Sequence, residues 1–327
     1  MSSGNVIETK ELKKTFTSKE RGNKRIVEAV KGIDLAVRKG EIFGFLGPNG
    51  AGKSTTQKML STLMLPTGGA AKVLGFDLVK EQAEIRKHVG FVSQSGGADL
   101  AASGAENLVL QAQLFGIDAV SAKKSAEEFA SRFQMTSFID RVVNTYSGGQ
   151  KRRLDIALGM IHNPQLLLLD EPTTGLDPQS RAYLWEEIKK LKSDGITIFL
   201  TTQYMDEADK LCDTIAIMDH GQIIITGTPE QLKDSVGGDT IILTFSSEEI
   251  AKKAEALLTE QVIFERIQTT DASVHLTIKN GERTMPDLLR LMDGCNFQVQ
   301  GAMLSRPSLD DVFLKYTGRS LREEAKQ

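Results

Sequence analysis

Residues 47–55 read GPNGAGKST, and no other stretch constrains the fold of this chain as tightly. The spacing of Gly47, Gly52, Lys53 and Ser54 is that of a phosphate-binding loop, provided it follows a strand and opens a helix. Both conditions are met: EIFGFLG (41–47) is a short apolar run of strand character, and residues 53–64 carry a helical pattern closed by Pro66. Between Gly47 and Gly52, Pro48, Asn49, Gly50 and Ala51 form a turn in which the N–H groups after Pro48 point inward, beside the positive end of a helix dipole. Lys53 then reaches the β- and γ-phosphates, the Ser54 hydroxyl ligates Mg²⁺, and Thr55 touches the α-phosphate. A nucleotide is implied; the task it serves is not.

Downstream, LLLLDEP (166–172) is an apolar strand that delivers Asp170 to its C-terminal edge, where open α/β sheets bind ligands. Asp170 is a candidate Mg²⁺ carboxylate, and Glu171, pointing elsewhere, can polarise a water for attack on the γ-phosphate. A second apolar strand, ITIFLTT (196–202), follows the helical stretch SRAYLWEEIKKLK. Unbroken apolar strands joined by a helix predict a parallel sheet covered on both faces.

Between these motifs, SGGQK (147–151) stands twenty residues before the acidic strand end, at the start of a helical run. Ser147, Gly148 and Gly149 there make a second anion site on a helix N-terminus, with Gln150 next in line. With this element the chain resembles the ABC ATPases over residues 5–230. The resemblance implies an α/β P-loop NTPase core with an antiparallel β subdomain and a helical subdomain at about 95–163. It further implies that Ser147–Gln150 face the nucleotide of a second subunit, so that a homodimer encloses two ATP. Gln94 in FVSQSGG matches the family's Q-loop residue, which contacts Mg²⁺ or water. Asp177 in TTGLDP matches the D-loop, and Phe16 resembles the aromatic that stacks on adenine. Tyr146 replaces the usual Leu at an outer position of the signature.

One position departs. The family's His after the strand following the acidic motif is here Gln203, whose amide can donate to a phosphate but carries no proton charge. Either the site is slow, or Gln203 is an equivalent hydrogen-bonding switch. TTQYMDEAD together with RPSLDDVFLKYTGR (306–319) resembles the daunorubicin-resistance branch of multidrug exporter ATPases. That implies a separately encoded membrane permease as partner, a place on the cytoplasmic face of the membrane, and export of drugs or other amphipathic compounds. Leu100, Leu108 and Phe115 are the candidate apolar contacts for the permease. Soluble ABC ATPases of translation or DNA repair are the alternative, but these carry paired units or a coiled-coil insertion. A nucleotide-gated regulator disabled by Gln203 is a third reading.

The remaining pattern fills in around this core. Strand-like spacing at 5–16 and 26–37, around the charged stretch SKERGNKR, predicts a hairpin. Beyond a boundary at 233/234, a βαββαβ order with Thr284 capping a helix that carries Pro286 in its first turn predicts a small ferredoxin-like domain, 234–327. His275 stands alone in it as an ordinary strand residue. Forty basic against 43 acidic residues leave a net charge of −3, so nothing suggests a nucleic-acid partner. No apolar run reaches the ~18 residues a membrane span needs. Cys212 and Cys295 have no metal-site spacing and are expected to be buried thiols.

Overall fold

The structure, a computed structural model, describes residues 4–20, 23–259, 264–279 and 281–318. Its amino-terminal ribbon runs further than the side-chain pattern suggests. Strand β1 (Asn5–Glu20) pairs antiparallel with β2 (Asn23–Arg38), and the register continues through Ser18 opposite Arg25 to Glu20 opposite Asn23. Most of the expected turn SKERGNKR is therefore strand, because backbone pairing needs no apolar alternation to persist. Within that stretch, Arg21 and Gly22 lie outside the described residues.

Strand β3 (Ile42–Leu46) is buried along its whole length and leads through the glycine loop into α1 (Lys53–Leu60). That helix ends four residues before the expected position 64. Thr62 adopts a left-handed φ of 64° there, turning the chain before Pro66 is reached. There follow β4 (Gly68–Val73), β5 (Phe76–Asp77), α2 (Gln82–His88) and β6 (Val89–Val92). Three helices come next: α3 (Gly104–Leu114), α4 (Ala119–Arg132) and α5 (Gly148–Met160). Each opens on a side-chain cap, from Ser103, Asp118 and Ser147 respectively. The chain then alternates β7 (Leu166–Asp170), α6 (Pro178–Ser193), β8 (Thr197–Thr202), α7 (Met205–Leu211), β9 (Thr214–Asp219) and β10 (Gln222–Gly227).

Two sheets result, an antiparallel one in the order β2-β1-β4-β5 and a six-stranded one in the order β10-β9-β3-β8-β7-β6. Within the second, β9, β3, β8, β7 and β6 run parallel and β10 turns back antiparallel at His220-Gly221. One apolar cluster joins Leu12, Ile33 and Val37 of the ribbon to Phe43, Phe45 and Phe199 of the parallel sheet. The rings of Phe43 and Phe199 stack at 5.6 Å. Each such buried side chain contributes about 1.5–3 kcal/mol, so the floor beneath the glycine loop is stiff.

Residues Met1–Thr228 form one compact unit and Pro229–Gln327 a second. The second unit contains α8 (Pro229–Asp234), β11 (Asp239–Thr244), α9 (Glu248–Thr259), β12 (Arg266–Thr270), β13 (Ser273–Ile278), α10 (Gly281–Gly294), β14 (Gly301–Ser305) and α11 (Leu309–Thr317). Its sheet order, β12-β13-β11-β14 and antiparallel throughout, is that of a ferredoxin-like βαββαβ unit. Ile241, Leu243, Val274 and Leu276 pack beneath Ala251, Leu258, Leu288 and Met292. His275 sits on β13 opposite Ile242 and Gln268.

Several expectations need correction. Helix α10 begins at Gly281, not beyond Thr284, because the Asp239 carboxylate accepts from the Gly281 N–H at 2.7 Å and starts the helix early. Pro286 therefore lies inside the helix. Strand β14 starts at Gly301 and not at 296, since Asn296 is left-handed. Helix α11 was not expected, although Ser308 and Asp311 form a capping box and Gly318 a left-handed C-cap. Cys295 is exposed; only Cys212 is buried.

Candidate active site

The glycine loop leaves no room for side chains at its two ends. A Cβ on Gly47 would stand 2.1 Å from the Met218 carbonyl oxygen, and one on Gly52 2.4 Å from that of Ala29. Gly50 and Gly52 have φ of 80° and 106°, a region that favours glycine. The first N–H groups of α1 have no side-chain cap, so they face the loop as donors. Lys53, only 4% exposed, donates through Nζ to the carbonyls of Gly47 at 2.6 Å and Pro48 at 2.9 Å. Burial pushes its pKa down, and the carboxylates of Glu171 and Asp170 work against that shift. Thr55, the last residue of the loop motif, lies in the first turn of α1.

Asp170 ends β7 beside Thr201 of β8. Its Oδ1 accepts from Thr201 Oγ1 at 2.6 Å and from Ser54 Oγ at 2.9 Å, which joins the glycine loop to the acidic strand. Glu171 follows with a φ of 43°. A residue other than glycine in that region costs on the order of 1–3 kcal/mol, and such strain collects where a side chain must be aimed. Here it is held by the Glu171 N–H donating to the Thr201 carbonyl at 3.1 Å. The carboxylate points back into the site: Oε1 lies 3.7 Å from Lys53 Nζ, and Oε2 accepts from Gln94 Nε2 at 3.0 Å and Thr174 Oγ1 at 3.1 Å. Lys53, Ser54, Asp170, Glu171 and Gln94 thus form one connected constellation. Gln203, half-buried, follows directly on β8.

The signature residues stand apart from that constellation and are organised differently. Ser147 caps α5, its Oγ accepting from the Gln150 N–H at 3.3 Å while Gln150 Oε1 accepts from the Ser147 N–H at 3.0 Å. Gly148 is open on its Cα side, whereas a Cβ on Gly149 would come within 2.6 Å of Ser180 Oγ. Asp177 caps α6 through Ser180, whose hydrogen bonds hold its carboxyl below the usual range. Phe16 lies on β1 opposite Val27, with Lys14 Nζ 5.3 Å from its ring centre.

Two sequence expectations fail here. Tyr146 is no outer position: it is buried, its hydroxyl donates to the Phe138 carbonyl at 2.8 Å, and its ring meets Phe138 edge-on. Leu108 is fully buried against the helical subdomain and offers no surface, whereas Leu100 and Phe115 are exposed, as are Leu110 and Leu114. The sequence reading also missed Arg152. In a KRR run it looks like a solvated charge, yet it is buried and donates to three backbone carbonyls.

The donor set suits a nucleotide and a hard cation. No group of three or more His, Cys, Asp or Glu side chains is placed to hold a metal among the described residues. One hydroxyl and one carboxylate beside a phosphate cradle is the arrangement that Mg²⁺ shares with substrate phosphates. No helix among the described residues is long and apolar enough to cross a membrane.

Comparison with known proteins agrees with this geometry. Residues 30–174 match the ABC transporter family, and residues 227–317 match the C-terminal domain of DrrA1-3-like ATP-binding proteins. The daunorubicin/doxorubicin resistance ATP-binding protein DrrA of Streptomyces peucetius is 40% identical, covering 98% of this chain and 97% of that protein. The doxorubicin resistance ATP-binding protein DrrA of Mycobacterium tuberculosis is 41% identical over 91% of each. Among solved structures, a dimeric post-hydrolysis state of an ATP-binding cassette bound to ADP and Pi superposes with a TM-score of 0.62. It is 26% identical and covers 68% of this chain and 98% of that one. A buried lysine in a glycine cradle, an acidic pair at a strand end and relatives matched over nearly full length lead to one conclusion: the chain belongs to the ABC transporter ATP-binding family, in the branch with a DrrA-like C-terminal domain, and is an ATPase.

Proposed function

We propose that this chain is the motor subunit of an export system, dimerising around two ATP and driving a separately encoded membrane permease from the cytoplasmic face. The observation that carries the catalytic part is the placement of Glu171. Its carboxylate is buried, backed by strained main chain, and held by Gln94 and Thr174. A carboxylate so oriented accepts a proton from a water aligned with the γ-phosphate. Lys53 and the N–H groups at the start of α1 bind the phosphates, and Gln203 donates an amide hydrogen to the γ-phosphate as a switch. Mg²⁺, held by Ser54 and Asp170 with Gln94 beside them, would neutralise charge developing on the β- and γ-phosphates.

Ser147 to Gln150 and Asp177 face the partner protomer's nucleotide in this reading, and Phe16 stacks on the adenine. The exposed Leu100 and Phe115, joined by Leu110 and Leu114, receive the permease. The cargo is an amphipathic drug-like compound, supported by relatives named for resistance to daunorubicin and doxorubicin.

The test is phosphate release from the purified protein with Mg-ATP, with oligomeric state measured alongside. Glu171→Gln is expected to lower turnover by about 10²–10⁴-fold and to accumulate an ATP-bound dimer. Hydrolysis by Glu171→Gln at the wild-type rate removes Glu171 from its role. Gln203→Ala is expected to slow turnover while Gln203→His preserves it; an unimpaired Ala variant ends the switch assignment.

A further inference from the structure

Helix α5 begins at the signature, but its second turn is built into the catalytic site of its own chain. Arg152 is 7% exposed, and its guanidinium donates to three main-chain oxygens. Nε donates to the Pro172 carbonyl at 2.8 Å and Nη2 to the Asp170 carbonyl at 3.2 Å, the residues on either side of Glu171. Nη1 donates at 2.8 Å to the carbonyl of Ser93, the residue before Gln94. One turn later, Asp155 Oδ1 accepts from the Gly97 N–H at 2.9 Å. A Cβ on Gly96 would lie 2.7 Å from the same carboxylate, so the loop backbone rests directly on it. Residues three apart share a helix face, and this face grips the Gln94 loop at both ends and the Glu171 strand end on both sides.

We propose that Arg152 and Asp155 are positioning residues for ATP hydrolysis, setting the Gln94 amide and the Glu171 carboxylate at hydrogen-bonding distance from each other. A planar guanidinium with five fixed donors can hold three carbonyls in one geometry, which a lysine ammonium on a flexible stem does not reproduce. Arg152 and Asp155 both act through Gln94 and Glu171. Because Arg152 lies two positions beyond Gln150, any displacement of the signature end of α5 reaches the water-activating carboxylate of the same protomer. This inference rests on the proposed role of Glu171, and the two fail in different experiments.

The test is a double-mutant cycle on full-length protein, with turnover and nucleotide affinity measured separately. Arg152→Gln is expected to bind a fluorescent ATP analogue within about 3-fold of wild type while kcat falls by about 10²-fold, as for a displaced catalytic group. Asp155→Ala, which frees only the Gln94 loop, is expected to lose about 10-fold in kcat, with Asp155→Asn, which keeps the acceptor, close to wild type. Gln94→Ala added to Arg152→Gln is expected to cost nothing further, because both changes remove the same interaction. Additive losses in that cycle, or a folded Arg152→Gln with wild-type kcat, overturn the inference. Should Arg152→Gln fail to fold, Arg152→Lys and Asp155→Ala run the same cycle against Gln94→Ala. If Glu171→Gln is inactive while these variants keep wild-type kcat, the positioning role alone is lost. If Glu171→Gln is fully active, the proposed mechanism falls and this inference with it.

Discussion

Two helices in this molecule start at glycine-rich motifs, and they start in opposite ways. Helix α1 follows a left-handed Gly52 with no side-chain cap. Helix α5 starts from Ser147 and Gln150, which cap each other on an exposed surface. A helix end normally needs partners for its first N–H groups. At α1 no side chain caps them, which leaves them open to an anion. At α5 a reciprocal cap satisfies part of that demand, so under the proposed function an incoming phosphate would compete with the protein's own side chains. The first helix start leaves its donors open to a ligand; the second satisfies its own.

The sharpest way to break this contrast is a methyl group on each side. Gly52→Ala places a Cβ 2.4 Å from the Ala29 carbonyl on a left-handed backbone, and is expected to cost about 3 kcal/mol or more and to abolish ATP binding. Thermal melting and nucleotide titration read both effects. Gly149→Ala meets only the Ser180 side chain, which can rotate. It should leave stability within about 1 kcal/mol and ATP binding intact, yet, if the proposed dimer forms, lower turnover by about 10²-fold through misplacement at its interface. Equal destabilisation by the two would show that the starts are alike after all. Ser147→Ala sharpens the comparison further: loss of the cap should cost about 1 kcal/mol, a melting shift of about 2–4 °C for a unit of this size.

The smallest expected effect lies behind Gln203. Glu207 on α7 is fully buried, with Trp185 Nε1 donating to it at 3.1 Å, and desolvation raises its pKa above the ordinary 4.5. A raised folded pKa means the native state holds this proton more tightly than the unfolded chain does. Stability from that group is complete below pH 4.5 and declines as pH rises through the folded value. Glu207→Gln removes the titration. The variant should match wild type near pH 5 and melt higher at pH 8, and parallel pH profiles for the two would refute it.

The parts of this molecule that were legible in the sequence are those encoded within a few residues. Lys53, Ser54, Asp170 and Glu171 announce themselves because glycine spacing and an unbroken apolar strand are local signals. The ferredoxin-like order was legible for the same reason, as alternating strands and helices separated by turns. What was not legible depends on distant partners. Arg152 resembles its exposed neighbour Arg153 until carbonyls from residues 93, 170 and 172 converge on it. In α3, Leu108 and Leu110 look equivalent, but packing buries one and exposes the other. Tyr146 reads as an outer position in the sequence because its pocket is made by distant residues, Phe138 and Gly104, where a Cβ would stand 2.5 Å from the tyrosine oxygen. The hairpin at 5–16 and 26–37 was legible, but its extension was not, because main-chain pairing sustains it through charged residues.

The two cysteines give the molecule its own pair of reporters. Cys295 is open to solvent in the ferredoxin-like unit, while Cys212 is sealed against Gly44 with its thiol pKa raised by burial. A maleimide dye therefore marks the C-terminal unit alone in the native protein, at a single stoichiometric position, without mutagenesis. A second equivalent of dye is taken up only when the parallel sheet opens, so the labelling count itself becomes a gauge of whether the ATPase core has come apart.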